Sequence, residues 1–388
     1  MHSRSPDAAG ASSFSPARVE PTPAPAAQAN EAGIEQVLPN LWRITVPLPF
    51  ELRWANAYLL FGAGSWCLVD AGLATPEAEA VMLEALASLG LTPADLSTIV
   101  VTHAHPDHIG LAGRFQEASG APVLMFGLDA QIMRSIWTER DMRSAEMVSQ
   151  FYTSHGMPAE DSNLEKASMV ATRRLITVPS QVTALEDGQE VLLVGERYQV
   201  IWTPGHSDGH MCLWRASDGV LLAGDHILPR ITPNIGLYPR SRPNPLGDYL
   251  ESLQRLRPLP ARLVLPGHGR PFADLSGRVD ELLAHHEERS EITYQLVAQA
   301  QHEAGDSAHT GDITPTDDST PAGVTAQIGV TAHAVAIRLF EGRFHSLQNR
   351  RFALAETLAH LEYLRLQGRL EWRQDQAGKI HYFPAPAA

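Results

Sequence analysis

Six residues, His103-Ala104-His105-Pro106-Asp107-His108, constrain this chain more than any other feature. They follow the apolar run Leu96–Thr102, so they fall where a strand would end. Neutral imidazole and carboxylate are ligands that zinc prefers, and iron and manganese accept them too. Packing three imidazoles and an acid so closely is costly unless a cation binds them. The competing reading is a polar loop that happens to be His-rich.

The rest of the chain favours the cation. Asp70 ends the strand-like run Trp66–Val69 and opens the turn Ala71-Gly72. His206 follows Val200-Ile201-Trp202 within Thr203-Pro204-Gly205-His206. Asp225 closes Val220–Gly224, and His268 lies in Pro266-Gly267-His268-Gly269 after Leu263-Val264-Leu265. Each time a short buried strand meets a Gly or Pro turn and then a ligand-type residue. Such strand ends can converge on one edge of a sheet sandwich.

Five motifs in this order resemble the metallo-β-lactamase fold hydrolases, over residues 34–290. The resemblance implies an α/β protein of αββα sandwich architecture, with two divalent metal ions. His103, His105 and His206 would hold the first ion, and Asp107, His108 and His268 the second. Asp225 would bridge them, and Asp70 would hydrogen-bond a ligand and fix its loop. Asp107 would also accept a proton, and His210 would act in catalysis, beside the ligands or against substrate. Zinc is the first expectation for the metal, with iron or manganese as alternatives. Two metals ~3.5–4 Å apart share a hydroxide and polarise a reacting oxygen.

Departures from subfamily patterns narrow the choice. The commonest metallo-β-lactamases carry Cys where Asp225 stands, and flavodiiron proteins carry Glu in place of His105. The best-known acyl-homoserine lactonases have Tyr three residues after the bridging Asp, where this chain has Leu228. The element Gly205–His210 resembles glyoxalase II and lactamase-like proteins with a C-terminal winged helix, some of them endoribonucleases. Persulfide dioxygenases share the ligand motif with a single iron.

Composition sets further bounds. Forty-four acidic against 30 basic residues give a net charge of −14, which disfavours nucleic acid or an anionic membrane as a dominant partner. Cys67 and Cys212 lie inside apolar runs and read as small buried hydrophobes. No stretch approaches the ~20 apolar residues of a membrane span. With no signal-like segment either, the expected location is the cytoplasm.

Residues 1–33, rich in Ala, Pro and Ser, read as a disordered tail. A catalytic domain is expected over 34–300, with a helical insertion at 127–180. Its Met133, Trp137, Met147, Phe151, Tyr152, Met157 and Met169 read first as a self-packing layer, and second as a lid over an apolar acyl or aryl group. Residues 301–325 read as a linker, and 326–388, two helices and a hairpin, as a winged-helix-like domain. Its eight Lys/Arg against five Asp/Glu leave only +3, and Glu356 and Glu362 mark the helix that would enter a groove. Packing on the catalytic domain is therefore preferred to nucleic-acid binding. Tyr238, Arg240 and Arg242 read as substrate contacts or as a plain surface loop, and His285 and His286 as surface residues.

The expected activity is a binuclear hydrolase whose metal-bridging hydroxide attacks a thioester, ester or lactone carbonyl. The expected partner is a small molecule with an apolar acyl group, and a homo-oligomer is left open. The alternatives are a phosphodiesterase or endoribonuclease, a mononuclear-iron persulfide dioxygenase, and a non-catalytic nucleic-acid-binding or partner-binding protein.

Overall fold

The computed structural model of the chain describes residues 33–138, 143–309, 329–342 and 345–386. The first half builds one sheet: β1 (Gly33–Leu38), β2 (Leu41–Pro47), β3 (Trp54–Gly62) and β4 (Ser65–Val69), then helix α1 (Pro76–Ser88) and β5 (Leu96–Val101). Helices α2 (Pro106–Ile109) and α3 (Ala112–Ser119) lead to β6 (Val123–Phe126). The expected insertion supplies α4 (Gly127–Trp137), α5 (Arg143–Ser154) and α6 (Ala159–Thr172), and β7 (Thr183–Leu185) completes the sheet. Its strand order is β1-β2-β3-β4-β5-β6-β7. Pairing is antiparallel up to β4 and parallel from β4 onward.

The second sheet holds β8 (Glu190–Leu193), β9 (Glu196–Trp202), β10 (Met211–Arg215), β11 (Val220–Gly224) and, beyond helix α7 (Pro245–Leu256), β12 (Leu263–Pro266). Its order is β12-β11-β10-β9-β8, with only β11 and β12 parallel. Helix α8 (Leu275–His309), α9 (Ala332–Leu339), α10 (Leu347–Leu366) and the hairpin β13 (Leu370–Gln374)–β14 (Ile380–Pro384) follow.

Side-chain alternation along each strand makes the layers, because successive residues face opposite sides of a sheet. On β4, Trp66 and Leu68 join the core under α1 and α3, while Cys67 and Val69 join the core between the sheets. On β10, Met211 and Leu213 face that middle core, while Cys212 and Trp214 meet Tyr249, Leu253 and Leu256 of α7 and Val279 and Leu282 of α8. The result is the expected αββα sandwich. Both cysteines are free and buried, as small hydrophobes.

Three expectations need revision. Gly33 already belongs to β1, and α8 runs on to His309, past the boundary expected at 300. Residues 1–32 and 310–328, the bulk of the expected tail and linker, lie outside the described residues. His286 is not a surface residue: it is 1 % exposed and sits beside His360 of α10, at 3.5 Å between ring nitrogens. The apolar insertion residues mostly pack inward. Met133 joins the core under the first sheet, and Tyr152 and Met157 join α9 and α10. Among the described residues, no helix is long and apolar enough to cross a membrane.

Candidate metal centre

The parallel pair β4–β5 ends on one edge of the sandwich, and Asp70 and the His103–His108 loop leave from those ends. In the second sheet β9, β11 and β12 run the same way and release His206, Asp225 and His268. The structure brings all seven expected ligands together there. His105 Nδ1 lies 3.0 Å from His103 Nε2 and 2.8 Å from His206 Nε2. Opposite this triad, His268 Nε2 is 3.4 Å from Asp107 Oδ2, and His108 Nε2 is 3.8 Å from the same oxygen. Asp225 stands between the groups, with Oδ2 3.5 Å from His206 Nε2 and 3.2 Å from His268 Nε2, and Oδ1 3.4 Å from His108 Nε2.

Hydrogen bonds at the outer nitrogens fix which way four of the five rings present their lone pair. His108 Nδ1 meets Asp70 Oδ2 at 2.9 Å, His206 Nδ1 meets the Asn234 carbonyl at 2.9 Å, and His268 Nδ1 meets the Trp54 carbonyl at 2.7 Å. His103 Nδ1 lies 3.0 Å from Thr102 Oγ1, which itself donates to Asp70 Oδ2 at 2.9 Å. A ring whose Nδ1–H is taken by an acceptor carries its lone pair on Nε2, facing inward.

The donor set fits a pair of divalent cations. His108 Nε2 and Asp225 Oδ1 are fully buried and have no hydrogen-bond partner among the described residues. Leaving such atoms unsatisfied costs about 1–3 kcal/mol each, more for a charged group, and an ion would satisfy both. Three triads of ligand atoms each converge within 4.8 Å: His103, His105 and His206; His103, His108 and Asp225; Asp107, His108 and His268. Charge follows the same logic. Burial works against His268 carrying a proton, yet Asp225 and Asp107 push it up to about 10, and His108 is raised well above its ordinary value by Asp225, Asp70 and Asp107. Without metal the acids hold protons on these rings, and an ion must displace them.

Other residues grip these loops, and sequence reasoning missed them. Asp129, buried in the first turn of α4, accepts from Ala104 N at 2.7 Å, Ser207 Oγ at 2.8 Å and Gly209 N at 2.6 Å. One carboxylate thereby ties the His103–His108 loop to the His206 loop. Trp137, at the far end of α4, donates its indole N–H to the Ala104 carbonyl at 2.8 Å. Asn56 of β3 donates through Nδ2 to the Pro266 and Gly269 carbonyls, both at 2.8 Å, and Tyr58 OH donates to Pro266 at 2.7 Å. Gly267 in that clamped loop is obligatory, since a Cβ there would lie 2.1 Å from Asp225 Oδ1.

His210 lies beside the ligands, one of the two placements expected for it. It is fully buried, and Asp225 N donates to its Nε2 at 3.1 Å. Its Nδ1–H therefore points to Thr203 Oγ1, at 2.8 Å. With both nitrogens engaged within the protein, it does not face outward and holds the backbone of Asp225. Nor does Tyr238 face outward: its OH donates to Asn234 Oδ1 at 3.1 Å. Arg242 pairs with Asp248 and lies over the Trp202 ring, and Arg240 is exposed.

A family profile described as the metallo-beta-lactamase superfamily matches residues 54–268, more than half of the chain and all seven ligand positions. The chain belongs to the metallo-beta-lactamase superfamily. A second profile, the metallo-beta-lactamase-like C-terminal domain, matches residues 323–385. A metallo-beta-lactamase family protein from Thermus thermophilus is 36 % identical, with a TM-score of 0.75 over 90 % of this chain and 100 % of that one. The Bacillus subtilis metallo-hydrolase YqjP is 28 % identical across 66 % of this chain and 79 % of its own. An Aspergillus fumigatus protein named atrochrysone carboxyl ACP thioesterase is 23 % identical across 67 % of this chain and 66 % of its own. As a superfamily member with these relatives, the chain is a metal-dependent hydrolase.

Proposed function

We propose that this metallo-beta-lactamase superfamily member is a binuclear hydrolase that cleaves a thioester, ester or lactone bond of a small molecule with an apolar acyl group. The observation that carries the reading is Asp225, whose carboxylate faces His206 of one group and both His108 and His268 of the other. His103, His105 and His206 would hold one ion, Asp107, His108 and His268 the second, and Asp225 both. Two bound zinc ions would supply a hydroxide at neutral pH and polarise the scissile carbonyl. The residues do the rest. Asp107 is the most open carboxylate of the set, its side chain 20 % exposed against 7 % for Asp225 and 3 % for Asp70. Despite burial, His108 and His268 hold it below the usual carboxylate range, so it is ionised, and its openness makes it the carboxylate best placed to meet substrate.

An acyl substrate is supported by the loops that grip the ligands. Leu52, 40 % exposed, stands two residues from Trp54, and Ile231, 46 % exposed, three residues from Asn234. The relative named as an acyl-carrier-protein thioesterase points the same way. Nucleic acid fits poorly. Ten residues of α10 are buried, and the half-buried Arg350, Arg351 and Arg365 are already paired with Asp161, Glu165 and Glu362.

A hydrolysis panel of acyl thioesters, esters, lactones, phosphodiesters and single-stranded RNA tests the reading. Turnover should fall on the carbonyl substrates and vanish in Asp225→Ala. Metal-dependent cleavage confined to RNA or phosphodiesters would replace it with the nuclease reading.

A further inference from the structure

We infer that the C-terminal domain is part of the metal site, and that Asn234 is the positioning residue through which α10 fixes the His206 imidazole. This rests on the proposed ligand set. His103, His108 and His268 take the acceptor for their outer nitrogen from the catalytic body, through Thr102, Asp70 and the Trp54 carbonyl. His206 takes its acceptor from the Asn234 carbonyl, in the long irregular segment between β11 and α7. Such a segment has no ladder of its own to hold it, so its position depends on what it docks against.

The dock is α10. Asn234 Nδ2 donates to the Phe352 carbonyl at 3.3 Å, and Leu237 N donates to the Ala355 carbonyl at 3.0 Å. Tyr238 OH closes the Asn234 side chain from the other side, at 3.1 Å to Oδ1. Ile235 is 1 % exposed, in the same core cluster as Ala359 of α10. Helix α10 is itself locked to the insertion by the Arg350–Asp161 and Arg351–Glu165 pairs. A continuous set of contacts therefore runs from α6 through α10 and Asn234 to Nδ1 of a ligand. Partners of this kind set the tautomer and orientation of a ligating ring, and losing one weakens metal binding about ten- to hundred-fold.

The full chain carries the test, as wild type, Asn234→Ala and Tyr238→Phe. Zinc affinity is measured by competition with a chromophoric chelator, and the melting of the metal-free protein is measured beside it. One of the two zinc ions should bind about ten- to hundred-fold more weakly in Asn234→Ala and less severely so in Tyr238→Phe, with the affinity for the other ion unchanged. Wild-type affinity for both ions in both variants overturns the inference. So does equal weakening of both ions together with a lower metal-free melting point, which marks general loosening. If wild type binds a single ion, the binuclear reading fails. The inference then stands if Asn234→Ala weakens that ion, and falls if it does not.

Discussion

His108 Nδ1 lies 2.9 Å from Asp70 Oδ2, and that carboxylate also accepts from Thr102 Oγ1, the partner of His103 Nδ1. One acid therefore orients a ligand of each proposed metal site. Asp70 does so from φ +59°, a left-handed conformation that an L-residue adopts at a cost and that persists only where its surroundings hold it. Its Oδ1 accepts from Thr102 N at 2.8 Å, so the strained turn is locked to the end of β5.

Asp70→Ala should therefore weaken both ions about ten- to hundred-fold while leaving the fold intact. Elemental analysis after dialysis, with circular dichroism for the fold, measures this. Retention of both ions at wild-type affinity would show that Asp70 does not orient the ligands.

Asp129 offers a separate handle, since it touches backbone and a hydroxyl rather than a ligand ring. All three of its partners donate, so an amide in its place must point its NH2 at one of them. Asp129→Asn should cost about 1–3 kcal/mol in urea unfolding and lower turnover, because the two ligand loops lose their shared tie. An unchanged unfolding midpoint would remove Asp129 from this account.

How much of this was legible follows from where the information lies. The ligands announce themselves, because each closes an apolar run and its chemistry is rare at a strand end. Asp129, Asn56 and Asn234 belong to no motif. They are ordinary polar residues whose value comes from loops brought beside them by the fold. His286 is different, because its signal was present. Val279, Leu282, His286, Ser290, Thr293 and Val297 recur at spacings of three and four, and all six are buried. The neighbouring Glu287 and Glu288 are exposed and lend the same stretch the look of a surface. The Met-rich insertion was ambiguous for a further reason. A helix that covers a cleft and one that packs a neighbour carry the same apolar spacing, and here Met133 and Met157 went into cores.

The His286–His360 pair should make stability depend on pH. Burial, with His285 and Arg289, pushes His286 down to about 3, and burial with His286 and Arg289 pushes His360 well below its ordinary value. Unfolding frees both rings to bind protons near 6.5. The unfolded state then gains more protons as pH falls, so stability is full above about 6.5 and is lost progressively toward 3. Urea unfolding at pH 7.5 and pH 5 should show a drop in wild type that shrinks in His360→Gln. An equal drop in both proteins would place the pH sensitivity elsewhere.

The central claim is that two ions on one shared carboxylate carry acyl hydrolysis. Zinc titration of the metal-free chain, followed by thioester turnover, tests it most directly. Activity should rise until two ions are bound per chain and then level off. Full activity at one ion, or no turnover of any carbonyl substrate with two ions bound, would contradict it.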